Sequence, residues 1–324
     1  MKPTFGTFGI YRWFLATMVL FCHLGPEHCW RCGPNAVVTF FILSGYIISY
    51  ILDTHYLRIP DGIRKYYINR MLRVYPAYWV VIFATIPLIK YFPDIAHHVS
   101  ELVMPRTPMD VILNMGAITQ NFANTNLVPP AWSLGVEMEI WLLLPFVLRS
   151  RSGLWKFLLF VLFIKVSGVP VSYYGPLFAI QPFALGLLLY YRKQKNLRDI
   201  PHAVGMASII FTLLFYVCLS TMKIEGFYAD IILSVLVIYY LSGIDAGRLP
   251  RWFKRCDDFL GELAYPLFLI NSLTGILVKI CFPSLDYRSW GMFAVGFPVA
   301  NILAVFMIYA IESPINRLRR RIRN

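Results

Sequence analysis

Long apolar runs separated by short, basic connectors dominate this chain. A bilayer core about 30 Å thick takes roughly 20 apolar residues per helix, fewer where neighbours shield the span. Ten segments approach that length: 8–24, 35–52, 72–92, 132–148, 155–169, 175–191, 203–219, 228–243, 262–282 and 291–312. Gly168-Val169-Pro170 and Gly175-Pro176 break the chain between the fifth and sixth. The pattern predicts an all-α polytopic membrane protein, a bundle of about ten transmembrane helices. No period of 20–50 residues repeats.

The connectors set the orientation. With the N-terminus inside, alternate connectors hold 22 basic residues, the opposite set holds five (Arg31, Lys90, Arg106, Lys223 and Arg288), and Arg12, Lys165 and Lys279 fall within spans. This asymmetry follows the positive-inside rule and places both termini in the cytoplasm. Composition agrees: 58% of the 324 residues are apolar, 15% are charged and the mean hydropathy is +0.61, outside the range of soluble domains. A net charge of +13 would suggest nucleic acid in a soluble chain; here topology absorbs it. The first span lacks a basic leader and a cleavage site, so it reads as a retained helix. The whole chain, 1–324, reads as one transmembrane domain. It has an outer loop at about 93–131, with His97, His98, Asn114, Gln120, Asn121, Asn124 and Asn126, and a basic cytoplasmic tail at about 313–324. That loop is either simply solvated or a polar ligand-binding cap.

Charged groups inside spans cost about 2.5–3.5 kcal/mol each on insertion scales and so mark candidate sites. Arg12 and His23 are eleven residues apart, which puts them on one helical face and about 16 Å apart along the axis. Each also has a structural reading, a snorkelling arginine and a polar helix end. Arg70 and Arg73 share a face at the cytoplasmic border, suited to bidentate grip on phosphates or to simple anchoring. Glu137 and Glu139 sit two residues apart in the fourth span, so only one can share a cavity with His23. Glu137 is a proton-handling group, the partner of a cation, or one half of a structural ion pair.

These residues fall in ordered motifs: Arg12 and His23 with ten residues between; Phe40-Phe41-Ile42-Leu43-Ser44-Gly45-Tyr46; Arg70, Arg73, Tyr75-Pro76 and Tyr78-Trp79; Trp132-Ser133-Leu134 and Glu137. Gln181-Pro182-Phe183-Ala184-Leu185-Gly186 and Glu312-Ser313-Pro314 follow. The chain resembles acyltransferase family 3 along nearly its whole length, in the stand-alone form without an appended periplasmic hydrolase-like domain. It departs at Ala36-Val37, where the family commonly has Gly-Val, and at Asn271, where the family commonly has His. If that His were catalytic throughout the family, Asn271 would impair this protein; a polar packing position that Asn fills is the alternative.

The resemblance implies O-acetylation in a bacterial inner membrane: transfer of an acyl group, most often acetyl, from cytoplasmic acyl-coenzyme A to a hydroxyl of a glycan across the membrane. The expected acceptor is lipid-linked or membrane-proximal, as in lipopolysaccharide, capsule or exopolysaccharide. On this reading Arg12, Arg70 and Arg73 dock the coenzyme A phosphates, His23 is the general base and Glu137 orients it. Ser44, Tyr46, Trp132, Ser133 and Asn271 are candidates for oxyanion or acceptor contacts. The rival class is a transporter or flippase with an Arg/His/Glu relay. Cys29 and Cys32 suggest a local disulfide or free thiols; the second cysteine pair of a zinc site is absent, and no metal is expected. Nucleic acid is not an expected partner.

Overall fold

The computed structural model describes residues 7–118, 125–194, 201–221 and 227–323. The described residues form helices and connecting turns, with no strand. In chain order the α-helices are α1 (Gly9–Leu24), α2 (Cys32–Thr54), α3 (Gly62–Tyr91), α4 (Pro93–Ser100), α5 (Pro108–Gly116), α6 (Ala131–Leu148) and α7 (Arg151–Val166). They continue with α8 (Pro176–Gln194), α9 (His202–Thr221), α10 (Phe227–Gly243), α11 (Arg251–Leu269), α12 (Asn271–Cys281), α13 (Trp290–Met307) and α14 (Ser313–Arg323). Helix covers each of the ten expected segments. Among the described residues, four helical stretches suffice by length and composition to cross a bilayer, or five if the bent pair α11 and α12 is counted as one.

Large apolar side chains face outward along these helices, among them Leu143, Phe146, Phe163, Ile210, Ile302 and Phe306. Water would not tolerate so extensive an apolar exterior, whereas lipid requires it. The interior is built around α1, which packs on α2, α11, α12 and α13. Small residues let two of the crossings close. A Cβ on Gly45 would lie 2.1 Å from the carbonyl oxygen of Phe183, and one on Gly186 would lie 1.8 Å from that of Ile42. The glycines of two sequence motifs are therefore the contact points of α2 with α8. At the second crossing Gly9 meets Asp257 backbone and Gly261 makes room for Arg12 Nη2.

Three expectations change. The ninth segment, 262–282, is not one continuous helix: α11 and α12 meet at 72°. Pro266 interrupts the hydrogen-bond ladder just before the bend, and Asn271 opens α12. The last segment passes through a five-residue π-helix, Ile308–Glu312, before α14 continues through the basic tail. The 93–131 loop is not simply solvated, since α4 and α5 occupy much of it. Within it Asn114 is fully buried, donating to the carbonyls of Asp110 and Thr125 and accepting from Leu127 N. Asn126 accepts from Val128 N and donates to Pro129 O. Both amides are spent on backbone; Gln120, Asn121 and Asn124 lie outside the described residues.

Candidate functional site

Arg12 and His23 sit at opposite ends of α1, and each lines a different cavity. Their spacing corresponds to about 16 Å of helix rise. His23, in the last turn of α1, borders a cavity of about 930 Å³. Its walls come from α1, α2, the 93–131 segment, α6, the 170–178 segment and the connector before α13. One wall is aromatic. Trp132 packs on Tyr173 and Tyr174 with ring centroids 5.0 and 4.9 Å apart, and Tyr173 packs on Phe178 at 4.9 Å. Asn35, His98, Ser100 and Arg288 supply polar groups. Such a chamber combines flat apolar faces with scattered hydrogen-bonding groups, the usual chemistry of a site for a small polar ligand.

The second cavity, about 420 Å³, gathers all three arginines expected to share a dock: Arg12, Arg70 and Arg73. Arg319 and Arg320 of α14 join them. The arginines differ in state. Arg73 is paired with the buried carboxylate of Glu312, which the π-helix presents, and lies 5.1 Å over the Tyr265 ring. Arg70 lies over Trp141 at 4.9 Å and Tyr66 at 5.5 Å. Arg319 Nε donates to Asn69 Oδ1 at 3.0 Å and its Nη1 donates to Asn316 Oδ1 at 2.6 Å. Arg12 is held over Gly261, and its Nε has no hydrogen-bond partner among the described residues. A buried, unsatisfied guanidinium nitrogen beside further cations fits an anionic ligand.

Glu137 is not brought to His23. Its carboxylate accepts from Trp141 Nε1 at 3.2 Å, and is held there beside Ser44 and Arg70 and away from the walls of the His23 cavity. Among the five contact candidates only Trp132 lines the His23 cavity. Ser133 donates to Pro130 O at 3.2 Å, and Tyr46 packs edge-on against Phe8 and Tyr190. Ser44 stands beside Glu137. Asn271 is fully buried; its Nδ2 donates to Phe268 O at 3.3 Å and its Oδ1 accepts from Ser272. Ser100 donates to Ser272 at 3.0 Å, so a chain of hydroxyls connects Asn271 to the cavity wall.

Several groups escaped the sequence reading. Tyr173 and Tyr174 lie in a helix break, and their aromatic pairing was the only available signal. Arg319 and Arg320 were visible only as part of a basic tail. Asp230 is an ionisable residue within an expected span, a signal the motif pattern overshadowed. It is 1% exposed, near Thr39, whose hydroxyl approaches Asp230 Oδ2 at 3.4 Å and shares a 2.6 Å hydrogen bond with Ser234. Among the described residues no disulfide joins two cysteines, and no three His, Cys, Asp or Glu side chains form a metal-binding group.

Comparison with known proteins gives this architecture a family. The chain is 22% identical over 329 residues to "Putative acetyltransferase ORF330" of Acidianus two-tailed virus, across 94% of this chain and 88% of that protein. It is 24% identical over 215 residues to an uncharacterized protein of Haemophilus influenzae, across 57% of this chain and 86% of that protein. No solved structure matches significantly. The acyltransferase family 3 profile, described as an acyltransferase domain, matches residues 6–310, a stretch that takes in both cavities almost entirely. With its apolar helical exterior and with this match over nearly its whole length, the chain belongs to acyltransferase family 3 and is a membrane acyltransferase.

Proposed function

We propose that this protein transfers an acyl group, most often acetyl, from cytoplasmic acyl-coenzyme A to a hydroxyl of a lipid-linked or membrane-proximal glycan on the outer side of a bacterial inner membrane. The observation that carries this reading is the division of labour along α1, where Arg12 opens into an arginine-lined cavity and His23 into an aromatic one. The arginine cavity has the charge to hold the phosphates of the donor. Its separation from His23 suits an extended pantetheine arm running between them. The aromatic wall of Trp132, Tyr173 and Tyr174 offers stacking faces to a sugar ring, and neutral His23 takes the proton of the attacking hydroxyl. The positive-inside asymmetry supports ten crossings with both termini in the cytoplasm, which puts the arginine cavity on the donor's side.

The test uses the full chain in lipid nanodiscs with radiolabelled acetyl-coenzyme A and a membrane glycolipid extract. Wild type transfers label to the extract, and His23→Ala expresses and folds but does not. Turnover by His23→Ala close to wild type would reject the general-base assignment. An unmodified acceptor with intact protein would favour the transporter class instead.

A further inference from the structure

We infer that Arg288, in the connector between α12 and α13, is the oxyanion donor of the His23 site. This rests on the transfer reaction proposed above. Arg288 lines the same cavity as His23. Its Nη2 donates to the carbonyl oxygen of Cys22, the residue before His23, at 3.2 Å. Its Nε is buried and has no hydrogen-bond partner among the described residues. One edge of the guanidinium is thus tethered to the backbone that carries the base, while another donor remains unspent.

The connector is built to hold this arginine in place. Arg288 has φ 50°, a left-handed conformation that is strained for a non-glycine residue. Such strain persists only where the surroundings enforce it. Lys279 donates to the carbonyls of Pro283 and Leu285 from one side, and its ammonium lies 4.3 Å over the Tyr287 ring. Tyr287 stacks on His98 with centroids 5.5 Å apart and planes 24° apart. Ser289 caps α13 by accepting from Met292 N at 3.0 Å. Arg288 is therefore clamped between two fixed neighbours at the wall of the chamber. The other cavity arginine, Arg31, stands over the half-exposed Trp30 ring at 5.5 Å.

The chemistry needs such a donor. His23 takes the proton of the acceptor hydroxyl, and the oxygen bonds to the thioester carbonyl carbon. The carbonyl π pair then moves onto its oxygen as an oxyanion. Arg288 donates to that oxygen through a charge-assisted hydrogen bond already oriented before the charge develops. Collapse restores the carbonyl, breaks the carbon–sulfur bond and expels the thiolate, which takes the proton from the His23 imidazolium. Ester and free thiol are the products, and no oxidant or further reactant is needed.

The strained backbone also supplies the test. Glycine and asparagine adopt φ near 50° more readily than arginine. Arg288→Gly and Arg288→Asn should therefore keep or raise thermal stability while losing the guanidinium. Release of free coenzyme A from acetyl-coenzyme A, with the glycolipid extract as acceptor, is followed chromatographically in nanodiscs. The expected result is a fall in kcat of roughly 100- to 1000-fold with the KM for acetyl-coenzyme A unchanged, and partial recovery in Arg288→Lys. An unchanged kcat in Arg288→Gly overturns the inference, as does a defect confined to the acceptor KM. Lower stability in both variants, with activity falling only as far as the folded fraction, also overturns it, because that is a structural role. Wild type that releases no coenzyme A at all rejects the proposed transfer reaction itself. Active wild type with active variants rejects only the role of Arg288.

Discussion

Arg73 should behave differently from Arg70 although both were expected to do the same work. Glu312 is 5% exposed, its Oε1 has no hydrogen-bond partner among the described residues, and its Oε2 is paired with Arg73. Arg73→Ala would strip that buried carboxylate of its direct ion-pair partner, a loss of about 3–5 kcal/mol. Loss of the contact over Tyr265 adds about 0.5–1 kcal/mol. Most small domains have only about 5–15 kcal/mol of stability, so this single change consumes a large part of what is available. Replacing both partners removes the buried charge as well as its counterion, and such double replacements are often neutral or stabilising. Arg73→Met with Glu312→Met should therefore recover most of the stability lost in Arg73→Ala. Arg70 stands near Glu137 but forms no ion pair among the described residues, so Arg70→Ala should be the milder change. The measurement is thermal unfolding of the purified protein in one detergent, across the three variants and wild type. Equal melting temperatures for Arg70→Ala and Arg73→Ala, or a double variant less stable than Arg73→Ala, would refute the reasoning.

Three further outcomes can be checked. Gly186→Ala places a Cβ 1.8 Å from the backbone oxygen of Ile42 and should abolish the folded fraction on gel filtration; Gly116→Ala, whose nearest neighbours are side-chain atoms 3.5 and 3.6 Å away, should leave it intact. Trp132→Ala should raise the KM for acceptor by about tenfold, on the order of the 1–3 kcal/mol by which such stacking contacts are valued, without changing the KM for acetyl-coenzyme A. Arg319→Ala should weaken binding of 3′,5′-adenosine diphosphate, measured calorimetrically on the full chain, since it removes a cation from the arginine cavity; affinity equal to wild type would exclude Arg319 from the dock.

Much of the helical framework was legible because it is written in local periodicity. Runs of apolar residues predict where helices lie, and the 3.6-residue turn alone puts Arg12 and His23 on one face of α1. The charged residues within apolar runs mark candidate sites for the same local reason: their insertion is costly wherever the helix packs. The bend between α11 and α12 was less legible. Pro266 signals a weak point, but the 72° angle depends on what each half packs against.

What the sequence by itself determined, then, is the helical class, the order of the elements, the placing of Arg12 and His23 at opposite ends of one face of α1, and the family motifs. Only the tertiary structure decided who meets whom. Arg73 finds Glu312 across 239 positions, and Arg288 reaches the carbonyl of Cys22 across 266. Glu137 belongs with Trp141, Ser44 and Arg70 rather than with His23. Gly45 and Gly186, separate motifs in the chain, are two sides of one helix crossing. Side-chain direction along a helix follows from a repeat of a few residues, whereas these encounters follow from the crossing and closure of distant helices, which no local pattern encodes.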